Sequence, residues 1–236
     1  MAFSMRINKY IALHMGLSRR EADDHIVQGK VSINNVVAEI GAQVKDHDIV
    51  TVDGTPVGAV ANTYLILHKP VGYVCSRKSQ GGAPTIYNLL PAEYRSLKLV
   101  GRLDKDSSGI ILLTNDGDFA HRMTHPSFHK TKIYEVQLNK SLQPLHQQMI
   151  SDFGVMLEDG KSQFTVSKSV TEAKGGRGVE QEDTATYQIT MTEGRNRQIR
   201  RTFAALGYTV TALHRTHFGP YQLADLQSAS YQEIAI

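Results

Sequence analysis

Apolar side chains at Ile7, Tyr10 and Ile11 recur at the spacing of one helical face, which predicts a helix from Arg6 to about Met15, stopped by Gly16. Ser18-Arg19-Arg20-Glu21 then reads as a capping box, in which the serine oxygen and the glutamate satisfy free backbone amides reciprocally. It opens a second helix that Gly29 ends. Val31 to Ile33 and Ile49 to Val52 are short strands, with Asn34-Asn35 and Asp53-Gly54 as turns. Thr55 to Asn62 carries Pro56 and Gly58, no charge and no sustained period, and predicts a linker. Beyond it, strands are predicted at Tyr64 to Leu67, Tyr73 to Cys75, Ile110 to Leu113, Ile133 to Leu138, Tyr187 to Met191 and Tyr208 to Leu213. Helices are fewer, near Asp118 to Thr124, Pro144 to Asp152 and Arg197 to Leu206. Strands that outnumber helices without alternating regularly indicate an α+β chain. A small N-terminal module at residues 1–60 is expected ahead of a larger domain at 63–236, whose mixed sheet is mainly antiparallel and flanked by helices.

Composition narrows the class. The 236 residues are 41% hydrophobic, enough for a packed interior. The single cysteine, Cys75, excludes an internal disulfide framework and cysteine-based zinc sites, so a reducing, cytoplasmic setting is expected. Residues 1–10 lack a secretory apolar segment, and no stretch approaches the roughly 20 apolar residues of a membrane span. The net charge of +3 says little, but its distribution says more. Glu193 to Arg215 holds five arginines against one acid, the pattern of a phosphate-binding surface.

Gly101-Arg102-Leu103-Asp104-Lys105-Asp106-Ser107-Ser108-Gly109 sets a carboxylate, Asp104, between two cations and beside the apolar run Ile110 to Leu113. Asp104 is therefore a nucleophile candidate. The same residues also fit a solvated charged turn at a strand end. In the helix after Asn196, a good N-cap, Arg197, Arg200 and Arg201 fall on one face and Ile199, Phe203 and Leu206 on the other. Three arginines with no opposing acid suit RNA phosphates or a catalytic carboxylate. Alternation in the strand around Tyr134 puts Lys132, Tyr134 and Val136 on one face. His121, His125 and His129 repeat every four residues, yet Pro126 would break the helix that three ligands on one face require, and no metal site is expected. Lys174-Gly175-Gly176-Arg177-Gly178 lacks the final Lys-Ser/Thr of a phosphate loop and reads as an exposed loop.

Four motifs follow one another along the chain: Leu67-His68-Lys69-Pro70-Val71-Gly72, the stretch from Gly101 to Gly117, Thr131-Lys132-Ile133-Tyr134-Glu135-Val136, and Glu193 to Arg201 followed by His214-Arg215. In this order they resemble the bacterial ribosomal RNA pseudouridine synthases typified by RsuA. The N-terminal pattern, Arg-Ile-Asn-Lys-Tyr-Ile and then Ser-Arg-Arg-Glu-Ala, is similar to the S4 RNA-binding module. Together these resemblances cover essentially the whole chain.

The family resemblance implies isomerisation of a uridine in RNA after base flipping, with Asp104 attacking either C6 of the uracil or C1′ of the ribose. It implies Tyr134 against the target base and Arg200 paired with Asp104, and it assigns Arg102 to the space the base vacates. RNA contacts are expected from Arg6, Lys9, Arg19, Arg20 and Lys30 in the S4-like module, and from Lys69, Arg102, Lys132, Arg197 and Arg201 beyond it. The isomerisation needs neither a cofactor nor a metal. The expected partner is ribosomal RNA or a ribosomal-subunit assembly intermediate, bound by a monomer away from membranes. Transfer RNA as substrate, a non-catalytic RNA-binding assembly factor, and an aspartate-dependent phosphoryl or nuclease enzyme are the alternatives. Intact Asp104, Tyr134 and Arg200 speak against the second, and the lack of further carboxylates to hold Mg²⁺ against the third. Phe203-Ala204-Ala205 leans toward small-subunit enzymes and Gly194 to Gln198 toward large-subunit ones, so the target uridine stays open.

Overall fold

A computed structural model describes residues 4–58, 61–168 and 186–236. The glycine-rich loop expected at 174–178 lies outside them. The N-terminal unit runs β1 (Ser4–Arg6), α1 (Ile7–His14), α2 (Arg19–Val27), β2 (Val31–Ile33), β3 (Val36–Val37), β4 (Gln43–Lys45), β5 (Val50–Val52) and β6 (Thr55–Pro56). Both arms of the capping box form. Ser18 Oγ accepts from the Glu21 amide at 3.2 Å, and Glu21 Oε2 accepts from the Ser18 amide at 2.6 Å. Ile7, Ile11, Ala22, Ile26, Val31 and Val50 close a separate core, so the predicted helical face is the buried one.

The expected linker begins later than its composition suggests. Thr55 and Pro56 pair with Val52 and Thr51 as an edge strand, a position where proline's missing N–H leaves no gap in the ladder. Val57 also packs against the N-terminal core.

The larger unit holds β7 (Tyr64–Lys69), β8 (Lys98–Val100), β9 (Ser108–Thr114), α3 (Gly117–Thr124), β10 (Lys132–Leu138), α4 (Pro144–Gln148), β11 (Val155–Leu157), β12 (Gly160–Ser162), β13 (Thr165–Lys168), β14 (Thr186–Met191), α5 (Gln198–Ala205), β15 (Val210–Phe218), β16 (Tyr221–Gln222) and β17 (Tyr231–Glu233). Its main sheet has the order β13-β14-β10-β15-β9-β7-β17, with β8 on β9 and β16 on β15. Every pairing in this sheet is antiparallel except β15 with β9, where Arg215 lies opposite Gly109 and His214 opposite Ser108. This parallel step joins two antiparallel halves. The α+β architecture expected from the patterning is the one observed.

Strand alternation sorts the core. Ile111 and Leu113 of β9 face one layer with Leu65, Leu67 and Ile86, while Ile110 and Leu112 face another with Phe119, Met123 and Phe218. A third layer packs Phe203 and Ile199 of α5 against Tyr134, Val136, Ile189 and Leu213.

Two expected elements differ. At Tyr73 to Cys75 only Val74 makes a bridge, to Thr85, because Gly72 has just turned the chain with φ +94°. The helix expected over Pro144 to Asp152 closes as α4 at Gln148 and continues as one wide π-helical turn, Met149–Phe153, before Gly154.

Candidate active site

The loop carrying Asp104 leaves β8 and enters β9, where the two sheet halves meet. It is held from below by its backbone. The Ser107 amide donates to the Asp104 carbonyl at 3.1 Å, and the Gly72 amide to the Lys105 carbonyl at 2.8 Å. Lys69, at the end of β7, sends its ammonium under the loop and donates to the carbonyls of Ser107 at 2.5 Å and Pro70 at 3.0 Å, with Lys105 at 3.5 Å. Burial lowers its pKa, and the nearby carboxylates of Asp106 and Asp104 work against that shift.

Lys69 is thus 0% exposed and cannot meet RNA, which corrects its expected place at the surface. The sequence shows a lysine ending an apolar strand; that a loop 38 residues away closes over it is a tertiary fact. Lys69→Met is expected to take this donor away from the Ser107 and Pro70 carbonyls and cost roughly 2 kcal/mol of stability. It should lower the reaction rate more than RNA affinity. Urea midpoints and paired binding and rate measurements check this, and a loss confined to RNA affinity would count against the positioning role.

Above the loop opens a cleft of about 660 Å³, lined by Asp104, Tyr134, Arg102, Lys132, Arg197 and Arg215 among others. Tyr134 is buried on β10, directly opposite Arg215 of β15. The predicted alternation holds, with Tyr134 and Val136 inward and Glu135 and Gln137 exposed. Arg215 is 2% exposed and gives both Nε and Nη2 to the Ile110 carbonyl, with its guanidinium 4.7 Å from the centre of the Phe218 ring. A signal for it was present in the sequence: alternation sets Arg215 on the same face as Leu213.

The arginine helix departs most from expectation. Asn196 does not cap it. Arg197 occupies the cap position in left-handed backbone (φ +45°, ψ +31°), and α5 starts at Gln198, whose side chain folds back to accept from the Arg195 amide and donate to Glu193. Arg197 therefore leaves the helical face and reaches toward the Asp104 loop. It makes a bidentate pair with Asp106 at 3.0 and 2.9 Å and lies 3.5 Å from Asp104 Oδ2. That pair holds the Asp106 carboxyl below its ordinary range and raises Arg197.

The pairing of Arg200 with Asp104 is likewise corrected. Arg200 donates to the carbonyls of Asp106 at 2.9 Å and Val210 at 2.8 Å, and its Nε lies 3.3 Å from Asp106 Oδ2. Anchoring by the Val210 carbonyl fixes the guanidinium one carboxylate away from Asp104. Arg201 turns the other way and pairs bidentately with Asp159 in the β11–β12 turn, which also receives Arg195. Asp106 and Asp159, which sequence reasoning did not single out as partners, thus organise the arginines.

The other expected RNA contacts are spread widely. Arg6, Arg19, Arg20 and Lys30 are exposed on the N-terminal unit, and Arg102 is exposed beside the cleft. Lys9 instead bridges the two units, with Nζ 2.6 Å from Asp118 Oδ1. Lys132 lines the cleft while donating to the carbonyls of Lys130, Thr192 and Glu193. Among the described residues, no group of three or more His, Cys, Asp or Glu is placed to hold a metal, and no helix is long and apolar enough to cross a membrane.

The family model described as RNA pseudouridylate synthase matches residues 63–205, and the S4 domain model matches 5–50. Ribosomal small subunit pseudouridine synthase A of Pasteurella multocida is 37% identical, with 98% of each chain covered. Ribosomal large subunit pseudouridine synthase B of Bacillus subtilis is 34% identical over 97% of this chain and 91% of its own. The corresponding large subunit enzyme of Pseudomonas aeruginosa is 35% identical over 92% of this chain, which spans 56% of that relative's length. A crystal structure of a pseudouridylate synthase superposes with a TM-score of 0.65 at 30% identity, covering 98% of this chain and 96% of that one. With a matching model over more than half its length and relatives above 30% identity along nearly all of it, the chain belongs to the RNA pseudouridylate synthase family, isomerases that act on RNA, and carries an S4 domain at its N-terminus.

Proposed function

We propose that this chain isomerises a uridine of ribosomal RNA to pseudouridine, with Asp104 as nucleophile, residues 63–236 as the catalytic unit and residues 1–60 as the unit that recruits the RNA. The observation that carries this reading is the convergence of Asp104, the buried Tyr134 and a set of restrained arginines on one open cleft. Ribosomal RNA as the substrate class is supported by the names of the Pasteurella and Bacillus relatives.

A target uridine leaves its stack to enter the cleft. The carboxylate of Asp104 forms a covalent bond to the nucleoside, the N1–C1′ bond breaks, the uracil turns, C5 bonds to C1′, and the bond to Asp104 breaks to return the free carboxylate. C5 then loses its proton and N1 holds one, so product and substrate are isomers. Tyr134 supplies a ring for the uracil to lie against and a hydroxyl that can help move the C5 proton. Arg197, shared between Asp106 and Asp104, keeps a positive charge beside the nucleophile.

Mapping pseudouridine across total RNA from cells with and without the gene tests the proposal. One or a few ribosomal sites are expected to disappear and to return when the purified chain is added to the unmodified RNA. Loss of sites in transfer RNA alone, or of none, overturns the ribosomal assignment.

A further inference from the structure

Between Asp118 and Glu135 the chain carries three histidines, three Lys or Arg residues and no acid. The histidines at 121, 125 and 129 do not form a metal set, because α3 ends at Thr124, His125 is already extended ahead of Pro126, and His129 adopts left-handed backbone with φ +44°. Instead the turn brings three rings together. His121 and His125 lie 4.8 Å apart, and Phe128 stands nearly perpendicular to both, at 5.7 and 6.3 Å. Phe128 is 43% exposed, and both imidazoles are exposed.

Position gives this cluster meaning. His125 and Lys130 line the rim of the Asp104 cleft. His121 and Arg122, one turn earlier on α3, line a second cleft shared with Lys9 and Arg19 of the S4 domain and with the carboxylates of Asp46, Asp48, Asp116 and Asp118. The rings therefore stand between the RNA-binding domain and the nucleophile. His125 is also held in advance: its Nδ1 accepts from the Ser127 amide at 3.3 Å and lies 2.7 Å from the Ser127 hydroxyl. A ledge fixed before binding loses little freedom when a base settles on it.

We propose that His121, His125 and Phe128 form a stacking ledge for an unpaired RNA base next to the target nucleotide, with Arg122 and Lys130 serving the adjoining phosphates. The proposal rests on the RNA reading above and adds a subsite to it. An exposed phenylalanine alone would be unremarkable. Coupled to two imidazoles in an acid-free cationic stretch at the cleft's rim, it has the composition of a single-strand binding platform, where aromatic faces take any base and cations follow the backbone. Duplex RNA offers no free base face to such a ledge.

The chain has no tryptophan, so Phe128→Trp introduces a single indole whose fluorescence reports stacking directly. The purified full-length wild type, Phe128→Ala and Phe128→Trp are titrated with a single-stranded oligouridylate and with an RNA duplex of equal length, after melting curves establish that all three are folded. Phe128→Ala is expected to bind the oligouridylate about tenfold more weakly while duplex affinity moves less than about twofold. Phe128→Trp should bind at least as tightly as wild type and be quenched on binding. Unchanged oligouridylate affinity in Phe128→Ala, equal weakening in both variants, equal loss for duplex, or an unquenched indole would each overturn the ledge. Pseudouridine formation by the wild type is scored separately. Its absence would sink the activity reading while leaving the ledge to be judged on binding alone.

Discussion

Asp104→Asn is expected to reduce pseudouridine formation by at least about a thousandfold, or roughly 4 kcal/mol of transition-state stabilisation, while leaving the fold and RNA affinity close to wild type. The amide keeps the shape of the carboxylate and loses its nucleophilic charge. Little else should change, because the loop is held through the Asp104 carbonyl and the Lys69 ammonium rather than through the Asp104 side chain. That side chain's ion contact is Arg197 at 3.5 Å, and Arg197 keeps its closer pair with Asp106 when Asp104 is neutral. Single-turnover rates on unmodified ribosomal RNA, with binding measured at the same salt, check the prediction. Turnover above a small fraction of the wild-type rate would remove Asp104 from the role of nucleophile.

The largest structural effect is expected at Gly109. Its φ of +113° is one that side chains rarely adopt, and a Cβ there would stand on the backbone of Arg215, 2.5 Å from its nitrogen. This is the parallel step joining the sheet halves, so neither strand can yield without opening the ladder. Gly109→Ala should cost about 3 kcal/mol or more. Gly72→Ala is the control, since Gly72 also has positive φ (+94°) but nothing within 4 Å of its added Cβ. That substitution should cost about 1 kcal/mol. Urea unfolding of both variants separates the two terms. Equal destabilisation would mean that backbone strain alone, and not the crowding against Arg215, explains the glycine.

What the sequence disclosed follows from how local each signal is. The Ser18 capping box is written within four residues and forms as predicted. The burial of Tyr134 and Val136 follows from alternation within one strand. Lys69 and Arg197 differ from their local signals for the opposite reason. The burial of Lys69 depends on carbonyls of a distant loop, and the left-handed turn at Arg197 is set by Gln198 and Asp106 rather than by Asn196. Short strands such as β8 and β17 lacked a sustained period of their own. They exist because long partners, β9 and β7, offer them an edge. Family motifs indicated which residues gather in the cleft. The choice of carboxylate for each guanidinium appears in the packed structure.

The parallel step between β9 and β15 also bears on how the chain becomes active. Asp104 belongs to the half built on β7, β8 and β9, whereas Tyr134, Arg197 and Arg200 belong to the half built on β10, β14 and β15. Each half can gather much of its own apolar layer, but the nucleophile meets its companions only when residues about a hundred positions apart in sequence, such as Gly109 and Arg215, come into register. Such non-local closure is the slow event in folding, so on refolding from denaturant, activity should return with the last kinetic phase and not with the earlier recovery of secondary structure.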